Sequence, residues 1–328
     1  MRVFVAGAAG AIGRHLLPQL AAQGHQVTAA TRSPGKLTLL RELGAEPVVV
    51  DGLDAVAVGE AVARAEPEAV IHQMTSLGGA QNLRHFDRTF TVTNRLRTEG
   101  TDHLLAAAAA AGVRRFVAQS YTGWPNTRAG TPVKSEEDPL DPDPPAEQRA
   151  TLAAITYLER AVRAAAAMRP VVLRYGSFYG PGASDDLVSL VQKRRVPVIG
   201  DGAGIWSFLH IHDAAAATVA ALEHGGPGVY NVVDDEPASV AEWLPFLARS
   251  VGAKPPRRVP VWLGRLAAGE AGVSMMTQIR GSSNAKAKRE LGWRPTWPSW
   301  RQGFAAGLTE PGPTPGAARP GAARPGAA

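Results

Sequence analysis

The sequence contains no cysteine. Disulfides, thiolate nucleophiles and cysteine-held zinc are therefore excluded, and a chain that owes nothing to oxidative folding fits a cytoplasmic protein. No apolar run approaches the ~20 residues that a bilayer-spanning helix needs, so no membrane association is expected. A strand-like run, Arg2-Val3-Phe4-Val5-Ala6, stands where a secretory leader would place its charged and apolar regions, and no leader is expected. Dense basic tracts are scarce too. The formal net charge is +6, yet only Lys193-Arg194-Arg195 is clustered. Scattered Lys and Arg read as a solvated face, and no nucleic-acid partner is expected. What is left is an ordinary globular composition, 45% hydrophobic and 20% charged, over 328 residues. That suffices for one large domain, or for a binding domain with a smaller partner.

Short apolar runs alternate with helical stretches through the first half. The runs are Val3–Ala6, Val27–Ala30, Pro47–Val50, Ala69–His72, Phe116–Gln119 and Val171–Arg174. They lack polar alternation, as strands buried on both faces do. Helices are predicted at Ala11–Gln23, Leu37–Leu43, Asp54–Ala65, Phe86–Ala111 and Glu147–Ala167. Such alternation implies right-handed crossovers and a doubly wound parallel sheet, an α/β fold of Rossmann type. The expected division is a dinucleotide-binding domain over 1–175, with later segments interleaved, and a substrate-binding part over 176–308, where Pro and Trp thicken. The Pro- and acid-rich stretch Thr122–Pro145 reads as a long functional loop. The Pro/Gly/Ala tail over 309–328 cannot build a core and is expected to be disordered.

Gly7-Ala8-Ala9-Gly10-Ala11-Ile12-Gly13 follows the first strand and opens the first helix. Gly7 permits the tight turn, Gly10 lets the backbone approach a pyrophosphate at the helix N-terminus, and Gly13 allows close helix–sheet packing. The second strand ends Thr31-Arg32-Ser33. An NAD enzyme usually has Asp or Glu there, on the ribose 2′-OH. Arg32 would instead pair with a 2′-phosphate, reinforced by Arg14 and Lys36, so NADP(H) is the expected cofactor over NAD(H).

With these residues in place, the chain resembles the extended short-chain dehydrogenase/reductases, the NAD-dependent epimerase/dehydratase group, over about residues 1–305. Asp51-Gly52 looks like the pair at the adenine. The strand and turn Val70-Ile71-His72-Gln73-Met74 look like those lining the cofactor. Ala111–Val117 is similar to the helix–strand junction before the catalytic serine strand. Leu173–Gly182, with Tyr175 and Ser177, is similar to the segment passing under the nicotinamide. Phe208–Asp213 and Tyr230-Asn231-Val232 match later landmarks. The resemblance implies a small-molecule substrate. It also implies a homodimer paired through the two longest helices, which carry the Ala runs Ala106–Ala111 and Ala164–Ala167.

One departure bears on the chemistry. Enzymes of this family use a Tyr-x-x-x-Lys pair in which the ammonium and the cofactor lower the Tyr pKa for proton exchange. No Tyr-x-x-x-Lys occurs here. Aligning Glu159 with the family's helix glutamate puts Thr151 in the Tyr slot and Ile155 in the Lys slot. The usual relay Asn falls near Arg97, with Asn94 one turn earlier. Ser120 looks like a strand-end serine, and Tyr121 falls at the usual Ser/Thr position. The expected assignment is that Tyr121 donates the proton, Ser120 orients the substrate and Arg97 assists. Tyr157 lies on the far side of the long helix and reads as core or interface.

His210-x-His212-Asp213 places two histidines on one side of an extended segment. No third ligand lies near, and Asp213 reads as the N-cap of a helix over Ala214–Leu222, so no metal is expected. His72 and His25 read as structural. The resulting expectation is an NADP(H)-dependent oxidoreductase or epimerase-like enzyme on a carbonyl or hydroxyl substrate. Its alternatives are a cofactor sensor without turnover and a non-redox dehydratase or cyclase.

Overall fold

The computed structural model describes residues 1–77 and 83–309; the tail expected to be disordered, from Glu310 on, lies outside them. The strands β1 (Arg2–Ala6), β2 (Gln26–Thr31), β3 (Glu46–Val49), β4 (Ala69–His72), β5 (Arg115–Tyr121), β6 (Pro170–Tyr175) and β7 (Gly228–Val232) form one sheet. Its order is β7-β6-β5-β4-β1-β2-β3, and every pairing is parallel. The fold is thus a Rossmann-type α/β sheet.

Both faces of the inner strands are buried, which explains their unbroken apolar runs, whereas β3 at the edge is only partly covered. Successive residues of β1 point opposite ways. Val3 and Val5 join a core with Leu16, Leu17 and Leu20 of α1 (Ala11–Ala22), Leu40 of α2 (Leu37–Glu42) and Leu222 of the helix Ile211–His224. Phe4 and Ala6 face the other core, with Val58 and Val62 of α3 (Ala55–Ala65), Leu104 of α6 (Glu99–Ala110) and Leu158 and Val162 of α7 (Arg149–Ala164). Each fully buried Leu or Phe contributes about 1.5–3 kcal/mol. A third core, with Tyr179, Phe208, Trp243, Trp300 and Phe304, sits in the C-terminal part and accounts for its aromatic richness.

Helix α3 is capped by Asp54, whose Oδ1 accepts from the amides of Val56 and Ala57, both at 3.0 Å. The stretch Phe86–Ala111 is three helices rather than one: α4 (Phe86–Thr89), α5 (Thr91–Arg97) and α6. The chain leaves helical geometry at Thr98 (φ −100°, ψ −83°), whose hydroxyl donates back to the Asn94 carbonyl at 3.0 Å. The long loop is stitched to the C-terminal part. Val133–Lys134 pairs with Gly281–Ser282, and the Asn126 amide donates to Ser282 Oγ at 3.0 Å.

Asp213 is not the cap of its helix. That helix begins earlier, at Ile211, with His210 Nδ1 accepting from the His212 amide at 3.2 Å. The Asp213 carboxylate instead takes the amides of Thr296 (2.9 Å) and Trp297 (2.8 Å), pinning a late segment to the sheet layer. His210 Nε2 donates to the Gly307 carbonyl at 3.0 Å, so both ring nitrogens are occupied. Among the described residues no helix is long and apolar enough to cross a membrane.

Candidate functional site

The glycine loop turns between β1 and α1 with Gly7 at φ +84°, where a side chain would also press on the Gln73 carbonyl at 2.6 Å. A Cβ on Gly13 would collide with the Ala8 carbonyl. At the N-cap Gly10 no side chain closes the helix end. The first-turn amides of α1 therefore lack intrahelical acceptors and present a positive dipole end to the cleft. These features fit a dinucleotide pyrophosphate, through Gly10, Ala11, Ile12 and Gly13.

A cleft of about 210 Å³ runs from this loop across the strand ends. It brings together Gly7, Gly10, Thr31, Arg32, Asp51, Gly52, Gln73 and Met74. At the end of β2, Thr31 is buried and its hydroxyl accepts from the Ser33 amide at 3.2 Å. Arg32 is exposed at the rim, donating to Ser76 Oγ at 3.3 Å. Asp51 is exposed across the cleft and accepts from the Leu53 amide at 3.0 Å. Arg14 lies exposed in the first turn of α1.

Deeper along the strand ends, the expected residues separate. Tyr121 is half-buried, and its hydroxyl shares a 2.9 Å hydrogen bond with Ser177 Oγ. Burial raises the phenol pKa, partly opposed by the Ser177 bond and by the charge of Arg97. Ser120, its neighbour, points the other way. Its hydroxyl donates to Glu159 Oε1 at 2.7 Å, and Glu159 is held by the Arg174 fork at 2.7 and 2.6 Å. All three are buried, so Ser120 belongs to an internal ion-pair network and not to the face that carries Tyr121. Adjacent residues of a strand alternate faces, which separates the two.

Tyr175 does not line the cleft. It is fully buried, with its hydroxyl hydrogen-bonded to Thr218 Oγ1 at 2.6 Å and accepting from Gln73 Nε2 at 3.2 Å. Burial pushes this phenol up to about 12. It acts as a prop for Gln73, whose Oε1 is left buried without a partner among the described residues. His72 is satisfied on both sides, by Thr101 Oγ1 at 3.0 Å and the Met74 amide at 3.2 Å. Burial drives its pKa down to about 4. Tyr157 is partly exposed and donates to Asp102 Oδ2 at 2.6 Å, tying α7 to α6.

Thr151, in the slot of the absent tyrosine, donates its hydroxyl to Asp87 Oδ1 at 2.6 Å and accepts from Asn94 Nδ2 at 3.0 Å. Asp87 also takes the amides of Ala150 and Thr151, capping α7 from 64 residues upstream. Nothing local to α7 signals this cap, and sequence reasoning missed it. Ile155, in the lysine slot, is buried among Phe86, Phe90, Trp124 and Leu152. The site thus holds a hydroxyl pair at the end of β5, an engaged threonine and an apolar residue where a Tyr–Lys acid would stand.

A model of the NAD dependent epimerase/dehydratase family matches residues 3–232. A 3-diazoavenalumate denitrifying reductase from a Streptomyces species is 45% identical over 311 residues, covering 93% of this chain and 99% of that one. A 2-alkyl-3-oxoalkanoate reductase from Stenotrophomonas maltophilia is 30% identical over 269 residues, 77% of this chain and 76% of that one. Among solved structures, the UDP-glucose 4-epimerase of Thermus thermophilus, in complex with NAD, has the same fold. Its TM-score is 0.71 at 24% identity, covering 94% of this chain and 98% of that one.

Proposed function

The chain belongs to the NAD dependent epimerase/dehydratase family and is an oxidoreductase; on that premise we propose that it is an NADP(H)-dependent reductase of an aromatic diazo compound, releasing dinitrogen. The observation that carries this reading is the Thr151–Ile155 pair. A carbonyl that accepts a hydride becomes an alkoxide and needs an acid. Thr151 spends its proton on Asp87, and Ile155 offers none.

When bound, the nicotinamide supplies a hydride. Arg32 would hold the 2′-phosphate, Asp51 and Gly52 the adenosine end, Gly10, Ala11, Ile12 and Gly13 the pyrophosphate, and Gln73 and Met74 the floor of the cleft. An arenediazonium, Ar–N₂⁺, needs one hydride to become a diazene, Ar–N=N–H. The diazene breaks its C–N bond to give Ar–H and N₂, moving its own hydrogen or exchanging it with water. The charges and atoms balance without a protein acid. A site without the Tyr–Lys pair suits that acceptor, and the 45% identical reductase is named for a diazo substrate and for loss of nitrogen.

A second reading keeps a carbonyl substrate. Tyr121 and Ser177, 2.9 Å apart at the end of β5, are the hydroxyls that would protonate the alkoxide, with Arg97 assisting. A reductase of 2-alkyl-3-oxoalkanoates among the relatives favours it. In either case the 176–308 part would contribute to the substrate side. A homodimer would pair through α6 and α7, a point for light scattering to check.

Diazotised meta-aminocinnamate with NADPH tests the first reading. Protein-dependent NADPH oxidation, equimolar with released N₂ and with cinnamate formed, is the expected result. Oxidation of NADPH only with carbonyl compounds would hand the assignment to the second reading.

A further inference from the structure

Three lysine or arginine side chains are buried among the described residues: Arg97, Lys134 and Arg174. Two have carboxylate partners. Arg174 grips Glu159 at 2.6 Å, and Lys134 reaches Asp138 at 3.4 Å. Arg97 has none. The one hydrogen bond of its guanidinium within the described residues is a long contact to Asn94 Oδ1, at 3.5 Å, at the edge of what counts as a bond. Removing a charge from water without a counterion costs several kcal/mol, and buried charges are otherwise paired. Burial pushes this guanidinium down to about 10, so it still carries its charge at neutral pH.

The neighbours of Arg97 do not relieve it. Its field reaches His72, which burial holds neutral, and Tyr121, a phenol that burial also keeps protonated. Thr101 accepts nothing from it; the Thr101 hydroxyl donates to the Arg97 carbonyl at 2.8 Å. Asp87 is spent on the first turn of α7. The result is a buried positive charge without a counterion among the described residues, in the field of Tyr121 at the end of β5. On the other side of Tyr121 stands an aromatic cluster. Phe86 stacks on Phe90 at 4.5 Å and meets Trp124 edge-on at 5.2 Å. Tyr121 joins the two regions: its ring lies 6.5 Å from that of Trp124, and its hydroxyl end lies in the field of Arg97.

We propose that Arg97 is the receptor for an anionic oxygen of the substrate, a carboxylate or a phenolate carried by a planar aromatic body. The inference rests on the reductase reading above for the identity of the ligand as substrate. The guanidinium offers a planar fork of donors that suits such an oxygen, and a charge-assisted bond there would supply the counterion that the described residues do not. The ring of the ligand would lie towards Tyr121 and the aromatic side.

Equilibrium binding to the NADPH-loaded protein tests this without turnover. The probes are cinnamate against methyl cinnamate for a carboxylate, and para-nitrophenolate against para-nitroanisole for a phenolate. The wild-type protein should prefer at least one anion over its neutral partner by about tenfold or more, the scale of one charge-assisted bond, and the pair that shows the preference identifies the oxygen. Arg97→Gln should abolish the preference and leave NADPH affinity unchanged, while Arg97→Lys should keep part of it. Equal binding of anion and neutral partner by the wild type, or binding of neither anion, overturns the proposal. So does a loss of NADPH affinity in Arg97→Gln with the preference intact, which would make Arg97 a cofactor residue. If Arg97→Gln does not fold, the wild-type preference and Arg97→Lys decide. Anion preference without diazo turnover sinks the reductase reading alone; turnover without anion preference sinks this proposal alone.

Discussion

The hydroxyl of Thr151 donates to Oδ1 of Asp87 at 2.6 Å, while both carboxylate oxygens of Asp87 accept from the first two free amides of α7. The residue standing where the family places its tyrosine is therefore part of a helix cap. Asp87→Ala should remove the acceptor for three hydrogens at once and destabilise the protein by about 1–2 kcal/mol, the upper range for a lost cap. Urea denaturation measures it. A change below about 0.3 kcal/mol would mean that water replaces Asp87 without cost, and Thr151 would then be free to act.

Arg32 stands exposed at the rim of the cleft, and the strand end beside it carries Thr31 rather than an acid. Arg32→Ala should weaken NADPH binding by about 1.5–3 kcal/mol, the range for a hydrogen bond to a charged group, and leave NADH binding within about twofold. Titration calorimetry with both cofactors reads the difference. Equal affinity of the wild-type protein for NADH and NADPH would refute the preference.

Tyr121→Phe separates the two substrate readings. The ring and its contact with Trp124 survive, and only the bond to Ser177 is lost. Reduction of a carbonyl through Tyr121 should slow by about 10²-fold or more, the effect of losing a general acid. Reduction of a diazo compound should stay within about threefold, since no acid is needed. The ratio of the two rates in the variant decides between them.

His72 gives the pH dependence a direction. Its pKa falls from an ordinary 6.5 to about 4 on folding because the imidazolium would be buried. Below about pH 6.5 the unfolded chain takes up a proton that the folded protein refuses, so the stability contributed by neutral His72 is lost as the pH falls towards 4. Linkage gives a loss of about 1.3 kcal/mol between about pH 7.5 and about pH 5.5. His72→Gln should flatten that part of the profile. An unchanged slope in the variant would show that another group controls it.

The sheet was legible because its signals are local. Val3 to Ala6 is apolar throughout since neighbours on a doubly covered strand face two cores, and Gly7, Gly10 and Gly13 sit at spacings that a turn and a close helix approach require. Arg32 at the end of β2 and the missing Tyr-x-x-x-Lys could also be read directly, because both are statements about which residue types are present. The fate of each polar group could not. Ser120 and Tyr121 are neighbours in the chain, and only the tertiary structure shows Ser120 committed to Glu159 and Tyr121 to Ser177. Tyr175, expected at the cofactor, is a buried prop for Gln73. Thr151 is engaged by Asp87, and Arg97 is left without a carboxylate among the described residues, for the same reason. A hydrogen bond or an ion pair is settled by which groups meet within about 3 Å, and those groups come from segments that periodicity and motif spacing do not relate to one another.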